Sequence, residues 1–212
     1  MPTAAWQLVE TLRRLEVDRV FCVPGESYLP ALDALTAEPA IDLVTCRHES
    51  GAGLMAVADA KLTSRPGVAF VSRGPGATNA ALAVHTAEQD GAPLVLFIGQ
   101  LPRRNLERGV FQKIDYVRTF GDMAKQVVEV REGHRLAATV VDAFRAAMDG
   151  TPGPVIVSIP EDLLAEEVRD ELPAPIPSEP RLPPADAVAD VARRLTAADR
   201  PLLLAGGGAR SG

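Results

Sequence analysis

Glu49 is the residue that most needs a reason. Residues 41–58 read IDLVTCRHESGAGLMAVA: an apolar strand over 41–45, a carboxylate at Glu49, then a helix of small residues over 49–64. An acid in the first turn of a helix offsets the helix dipole, an effect of about 0.3–1 kcal/mol. That alone would explain a glutamate without any function. The other explanation is that Glu49 stands at the carboxyl end of a parallel strand, the edge where open α/β sheets bind ligands. A carboxylate placed there can hold or move a proton on what is bound.

Two more junctions of the same kind favour the second explanation. Gly74-Pro75-Gly76-Ala77-Thr78-Asn79 separates a strand at 68–71 from a helix at 77–89. It begins as G-x-G but has Asn79 where the dinucleotide fingerprint has its third glycine, and it lacks the Lys-Ser/Thr of a P-loop. As a plain turn it needs glycine backbone angles. As a site it offers rigid backbone with a polar exit, suited to a flat heteroaromatic ring as well as to phosphate. Gly25-Glu26-Ser27-Tyr28-Leu29 lies between a strand at 19–23 and a helix at 28–36, the setting of a nucleophile elbow. Leu29 replaces the closing glycine, which argues against a serine hydrolase.

No metal ligand is assigned. His48-Glu49-Ser50 is not H-E-x-x-H, His85 and His134 have no partner at ligand spacing, and Cys22 and Cys46 make no zinc pair. The cysteines read as buried reduced thiols of a cytoplasmic protein. Gly51 and Gly53 each disfavour their helix by about 1 kcal/mol relative to alanine. Their expected use is close approach of another backbone, that of a second subunit.

The elements around these residues alternate. Helices are expected at 4–16, 28–36, 49–64, 77–89, near 112–119 and at 134–148, with strands at 19–23, 41–45, 68–71, 94–98, near 125–130 and at 154–159; 99–111 reads as a loop. That order predicts an α/β fold: a doubly wound, six-stranded, mostly parallel sheet with helices on both faces. Six prolines between 171 and 185 predict a stiff linker. A helix at 186–198, a strand at 201–205 and Gly206-Gly207-Gly208 read as the truncated start of a second α/β domain, so the chain is expected to be part of a longer protein. The expected division is therefore 1–170, 171–185 and 186–212.

The composition is 47% hydrophobic and 24% charged with a net charge of −6, ordinary for a soluble globular protein. There is no basic stripe, so no nucleic-acid partner is expected. No apolar run reaches the length of a membrane span, and the opening residues do not read as a secretory signal.

Taken in order, these residues resemble a family. Val23-Pro24-Gly25, Arg47-His48-Glu49, Gly74-Pro75-Gly76-Ala77-Thr78-Asn79, Gly99-Gln100, Leu101-Pro102-Arg103-Arg104, Val110-Phe111-Gln112 and Gly153-Pro154-Val155 resemble the N-terminal, pyrimidine-binding domain of thiamine-diphosphate enzymes of the acetolactate synthase type. The likeness covers about residues 4–165. It implies a cofactor whose 4′-amino group, as an imine, takes the proton from the thiazolium C2. A carboxylate on pyrimidine N1′ favours that form, and Glu49 takes its position. By the same resemblance Pro24, Gly25, Ser72, Pro75, Asn79 and Gln112 line the pyrimidine and the reaction cavity.

The resemblance further implies magnesium held by a domain outside this chain, a 2-oxo acid substrate and a homodimer or tetramer. It leaves FAD open as an additional cofactor. Three residues depart from the family pattern: Glu26 for a glycine, Arg73 for the second residue of a Thr-Ser pair, and Lys113 for a glutamate. All three fall on the expected substrate side. A non-catalytic nucleotide-binding α/β module is the alternative reading.

Overall fold

A computed structural model describes residues 2–169, 171–174 and 182–207. The middle of the proline-rich linker and Gly208 lie outside the described residues. Among the described residues eight α-helices and six strands run in the order α1 Ala4–Arg14, β1 Arg19–Cys22, α2 Leu29–Ala37, β2 Asp42–Thr45, α3 Glu49–Thr63, β3 Gly67–Val71, α4 Pro75–Asp90, β4 Leu94–Gln100, α5 Tyr116–Phe120, β5 Gln126–Glu129, α6 Leu136–Met148, β6 Pro154–Pro160, α7 Glu161–Leu164 and α8 Ala185–Ala197.

The sheet order is β2-β1-β3-β4-β6-β5, and every pairing is parallel. The expected mostly parallel sheet is thus entirely parallel. The central strands β3, β4 and β6 are buried along their whole length, which explains their unbroken apolar runs. The edge strands β2 and β5 are only partly covered.

Helices cover both faces. One apolar cluster joins Leu8 and Leu12 of α1, Leu35 of α2 and Val140 and Phe144 of α6 to Val68, Phe70, Val95 and Phe97. Phe70 and Phe97 stack with centroids 4.5 Å apart. The other cluster joins Ala52 and Ala56 of α3, Ala80 and Val84 of α4, and Tyr116 and Phe120 of α5 to Ala69, Leu96 and Ile156.

Several sequence expectations need correction. The loop expected at 99–111 gives up Gly99 and Gln100 to β4, whose ladder continues onto Ile159 and Pro160. The expected strand at 201–205 does not form: Leu202, Leu203 and Leu204 are 82%, 75% and 91% exposed, and a strand needs a neighbour to pair with. Gly53 faces inward. A Cβ there would stand 2.5 Å from Ala83 Cβ, so the close approach is to α4 of the same chain, and Gly51 meets nothing within 4 Å. Cys22 is buried, whereas Cys46 is only partly covered.

Helix α8 lies within one residue of the helix expected at 186–198, but none of its residues is buried. Among the described residues no helix is long and apolar enough to cross a membrane.

Candidate functional site

The sheet order reverses between β1 and β3, because β2 lies outside β1 on one side and β3 to β4 run away on the other. A crevice opens at such a switch point, beyond the carboxyl ends of the strands. Gly25 follows β1, Glu49 follows β2, and Ser72 to Gly76 follow β3. The three junctions singled out in the sequence therefore meet at this one edge.

Glu49 is the first residue of α3. His48 caps that helix, its Nδ1 accepting the Ser50 N–H at 3.2 Å. Asn79, in the opening turns of α4, donates from Nδ2 to Glu49 Oε2 at 2.9 Å. Ser50 Oγ donates to the Asn79 carbonyl at 2.5 Å. Two contacts thus tie the beginnings of α3 and α4 together and fix the orientation of the carboxylate.

The other oxygen, Oε1, receives no hydrogen bond among the described residues. A Cβ on Gly76 would lie 3.3 Å from it and 3.4 Å from Ser72 Cβ, so glycine keeps the approach to Oε1 open.

The floor of the crevice is built by close contacts. A Cβ on Gly25 would stand 2.6 Å from Ser72 Cβ, which makes alanine too large at 25. Ser72 Oγ lies 2.9 Å from the Oγ of buried Ser27. Gly74 has φ +62°, and a Cβ there would stand 2.8 Å from Gln112 Cβ. Gln112 itself holds φ 65°, uncommon for a residue with a side chain. The Gly74 N–H donates to Tyr116 Oη at 3.2 Å. Burial pushes the Tyr116 phenol above its ordinary pKa, so it stays protonated.

The structure therefore brings Gly25, Glu49, Ser72, Pro75, Asn79 and Gln112 to one edge, with Pro24 on the exposed approach to Gly25. Sequence reading missed Tyr116, which acts through a contact to the Gly74 backbone that no local motif announces, and it weighed Ser27 only as an elbow serine, not as the partner of Ser72. It also took Glu26 and Arg73 as separate departures. They are partners: Arg73 Nη2 donates to Glu26 Oε1 at 2.8 Å, and Nη1 donates to Glu161 Oε2 at 2.6 Å.

Lys113 is exposed and makes no ion pair among the described residues. Nor do those residues hold a group of three or more histidine, cysteine or acidic side chains able to bind a metal.

A doubly wound α/β domain with an anchored, half-free carboxylate at its switch point defines a class of ligand-binding domain. Residues 2–119 match the profile of the thiamine pyrophosphate enzyme N-terminal TPP-binding domain. The chain belongs to that family.

It is 35% identical to the acetolactate synthase isozyme 1 large subunit of Escherichia coli, over 97% of this chain and 37% of that protein. It is 35% identical to the mitochondrial acetolactate synthase catalytic subunit of Aspergillus candidus, over 94% of this chain and 30% of that protein. With the corresponding subunit of Saccharomyces cerevisiae the identity is 38%, over 82% of this chain and 25% of that protein. The chain thus spans between a quarter and two fifths of the length of these relatives. None of them points to a non-catalytic nucleotide-binding module.

Proposed function

We propose that this chain is the cofactor-activating part of a thiamine-diphosphate-dependent enzyme acting on 2-oxo acids, by carboligation or decarboxylation. The observation that carries the reading is Glu49 at the switch point, with Oε2 held by Asn79 and Oε1 open beside Gly76. A ring nitrogen that carries a proton fits there. One carboxylate oxygen is committed to the protein, and the other can accept from the ligand.

When bound, thiamine diphosphate supplies a thiazolium carbon that adds to the carbonyl of a 2-oxo acid and accepts the electrons released with carbon dioxide. The chain's own residues prepare the pyrimidine end. Glu49 Oε1 holds the proton at N1′, and Asn79 keeps the carboxylate from turning away. Gly25 and Gly76 let a flat ring approach the backbone. The Tyr116 hydroxyl and Gln112 hold the Gly74 turn in place. Moving one proton through a positioned side chain typically contributes about 10²–10⁴-fold to rate.

Magnesium and the diphosphate belong to a domain beyond this chain, and the reading does not require flavin. A second subunit completes the site. Support comes from Leu54, Met55 and Leu82, on the two helices that carry Glu49 and Asn79, which are 36%, 45% and 55% exposed. Apolar surface beside an open site suits a homodimer contact.

The test is to strip the full-length protein of cofactor by dialysis against a chelator and assay carbon dioxide release from pyruvate and 2-oxobutyrate. Release restored by thiamine diphosphate and magnesium together, and by neither alone, is expected. Release that is independent of both would refute the reading.

A further inference from the structure

Arg73 sits between Ser72 and Gly74, inside the turn that faces the cofactor crevice, and its side chain is 12% exposed. Its backbone N–H donates to Ser27 Oγ at 3.2 Å, which holds the start of the turn against the β1 loop. Its guanidinium is used unevenly. Nη1 is anchored by Glu161, Nη2 holds Glu26, and the buried Nε has no acceptor among the described residues.

Nε and Nη2 together form the edge of a guanidinium whose two parallel N–H groups match the two oxygens of a carboxylate. Arg13 shows the full form of that match in this protein: its Nε and Nη2 reach the two oxygens of Glu10 at 2.8 and 2.7 Å. At Arg73 the same edge is half filled. Its occupant, Glu26, is 67% exposed, and an ion pair with so exposed a partner contributes little.

We propose that the Nε/Nη2 edge of Arg73 is the binding site for the substrate carboxylate, and that Glu26 occupies it as a displaceable stand-in. The incoming carboxylate takes the place at Nη2 of the exposed Glu26 carboxylate, which turns out toward solvent, and also satisfies the buried Nε. Glu161 keeps the guanidinium in position during the exchange. The proposal rests on the cofactor-site reading above and deepens it, naming Arg73 as the residue that recognises the α-carboxylate of the 2-oxo acid.

The test uses the full-length protein loaded with magnesium and thiamine diphosphate. Calorimetry measures the binding of oxamate, an unreactive isostere of a small 2-oxo acid, alongside the affinity for the cofactor itself. Arg73→Gln is expected to weaken oxamate at least about tenfold, the worth of one charged hydrogen bond, with cofactor affinity unchanged. Arg73→Lys, which keeps the charge but loses the fork, should rescue only part of the loss. Glu26→Gln should tighten oxamate.

These opposite signs separate the proposal from a mere clamp, because both Arg73→Gln and Glu26→Gln break the same ion pair. Equal weakening by both variants, or loss of cofactor affinity alongside oxamate, would overturn it. Wild-type protein that binds the cofactor but not oxamate would overturn it as well. Wild-type protein that fails to bind the cofactor would instead sink the cofactor-site reading, and this proposal with it.

Discussion

Asn79 Nδ2 and Glu49 Oε2 lie 2.9 Å apart, across 30 residues of sequence, and their hydrogen bond joins the start of α3 to the second turn of α4. It leaves only one carboxylate oxygen for a ligand and decides which way that oxygen faces. Asn79→Ala should therefore lower cofactor-dependent turnover of the full-length enzyme by about tenfold, the loss of one charge-assisted hydrogen bond. Asn79→Asp should be worse than alanine, since it sets a second carboxylate against the first. Steady-state turnover at saturating cofactor checks the ranking. An aspartate variant as active as wild type would show that the contact does not position Glu49.

Gly53 packs on Ala83, not on a second subunit, so its substitution should act on folding. Gly53→Ala gains about 1 kcal/mol of helix propensity. Relieving a Cβ contact of 2.5 Å between two helices costs more, about 1–3 kcal/mol for overpacking. Net destabilisation is expected in denaturant unfolding, without a shift toward monomer in the protein that remains folded. A stabilised variant would mean that α3 and α4 can separate at this crossing.

Glu10 gives a pH dependence with a definite sign. Hydrogen bonds from Arg13, then Arg14, lower its pKa from 4.5 to about 2 in the folded chain despite opposition from partial burial. A carboxylate depressed on folding contributes stability above its unfolded pKa and loses it as pH falls through the folded value. Both arginines are more than 40% exposed, so the contribution at neutral pH is about 0.5–1 kcal/mol rather than the full shift. Glu10→Gln should be less stable than wild type by that amount at pH 7, with the gap closing between pH 4.5 and about 2. Unfolding midpoints across that range test it, and a gap that persists at the acid end would rule it out.

How much of this could be read in advance depended on whether the cause was local. Glu49, the Gly74–Asn79 turn and the Gly25 junction were legible because a strand end, a glycine pair and a helix start are written in adjacent residues. The run of β4 and β6 was legible because burial on both faces removes polar residues. What sequence could not supply was partnership. Gly53 announced a close approach but not whether α4 or another chain made it. Glu26 and Arg73, 47 residues apart, looked like two unrelated departures. Their opposite charges were the available hint, and only the parallel pairing of β1 with β3 brings their loops together. The left-handed Gln112 had no local signal, because nothing in Phe111-Gln112-Lys113 requires that conformation.

The 212-residue chain alone carries the pyrimidine side of the proposed site. A charged hydrogen bond contributes about 1.5–3 kcal/mol, against at least about 4 kcal/mol for association. Calorimetry on this chain with magnesium should therefore find thiamine diphosphate bound no tighter than about 1 mM. Micromolar affinity would mean that the Gly74–Asn79 turn binds phosphate.

The central claim is that Glu49 activates the cofactor, and hydrogen–deuterium exchange at C2 of bound thiamine diphosphate tests it most directly. The measurement is quenched-flow NMR on the full-length protein and its Glu49→Gln variant, both saturated with cofactor. Glutamine keeps the shape of the side chain but not its charge, so the variant should fold and bind while exchange slows by at least about tenfold. Exchange in the variant at the wild-type rate would contradict the role given to Glu49.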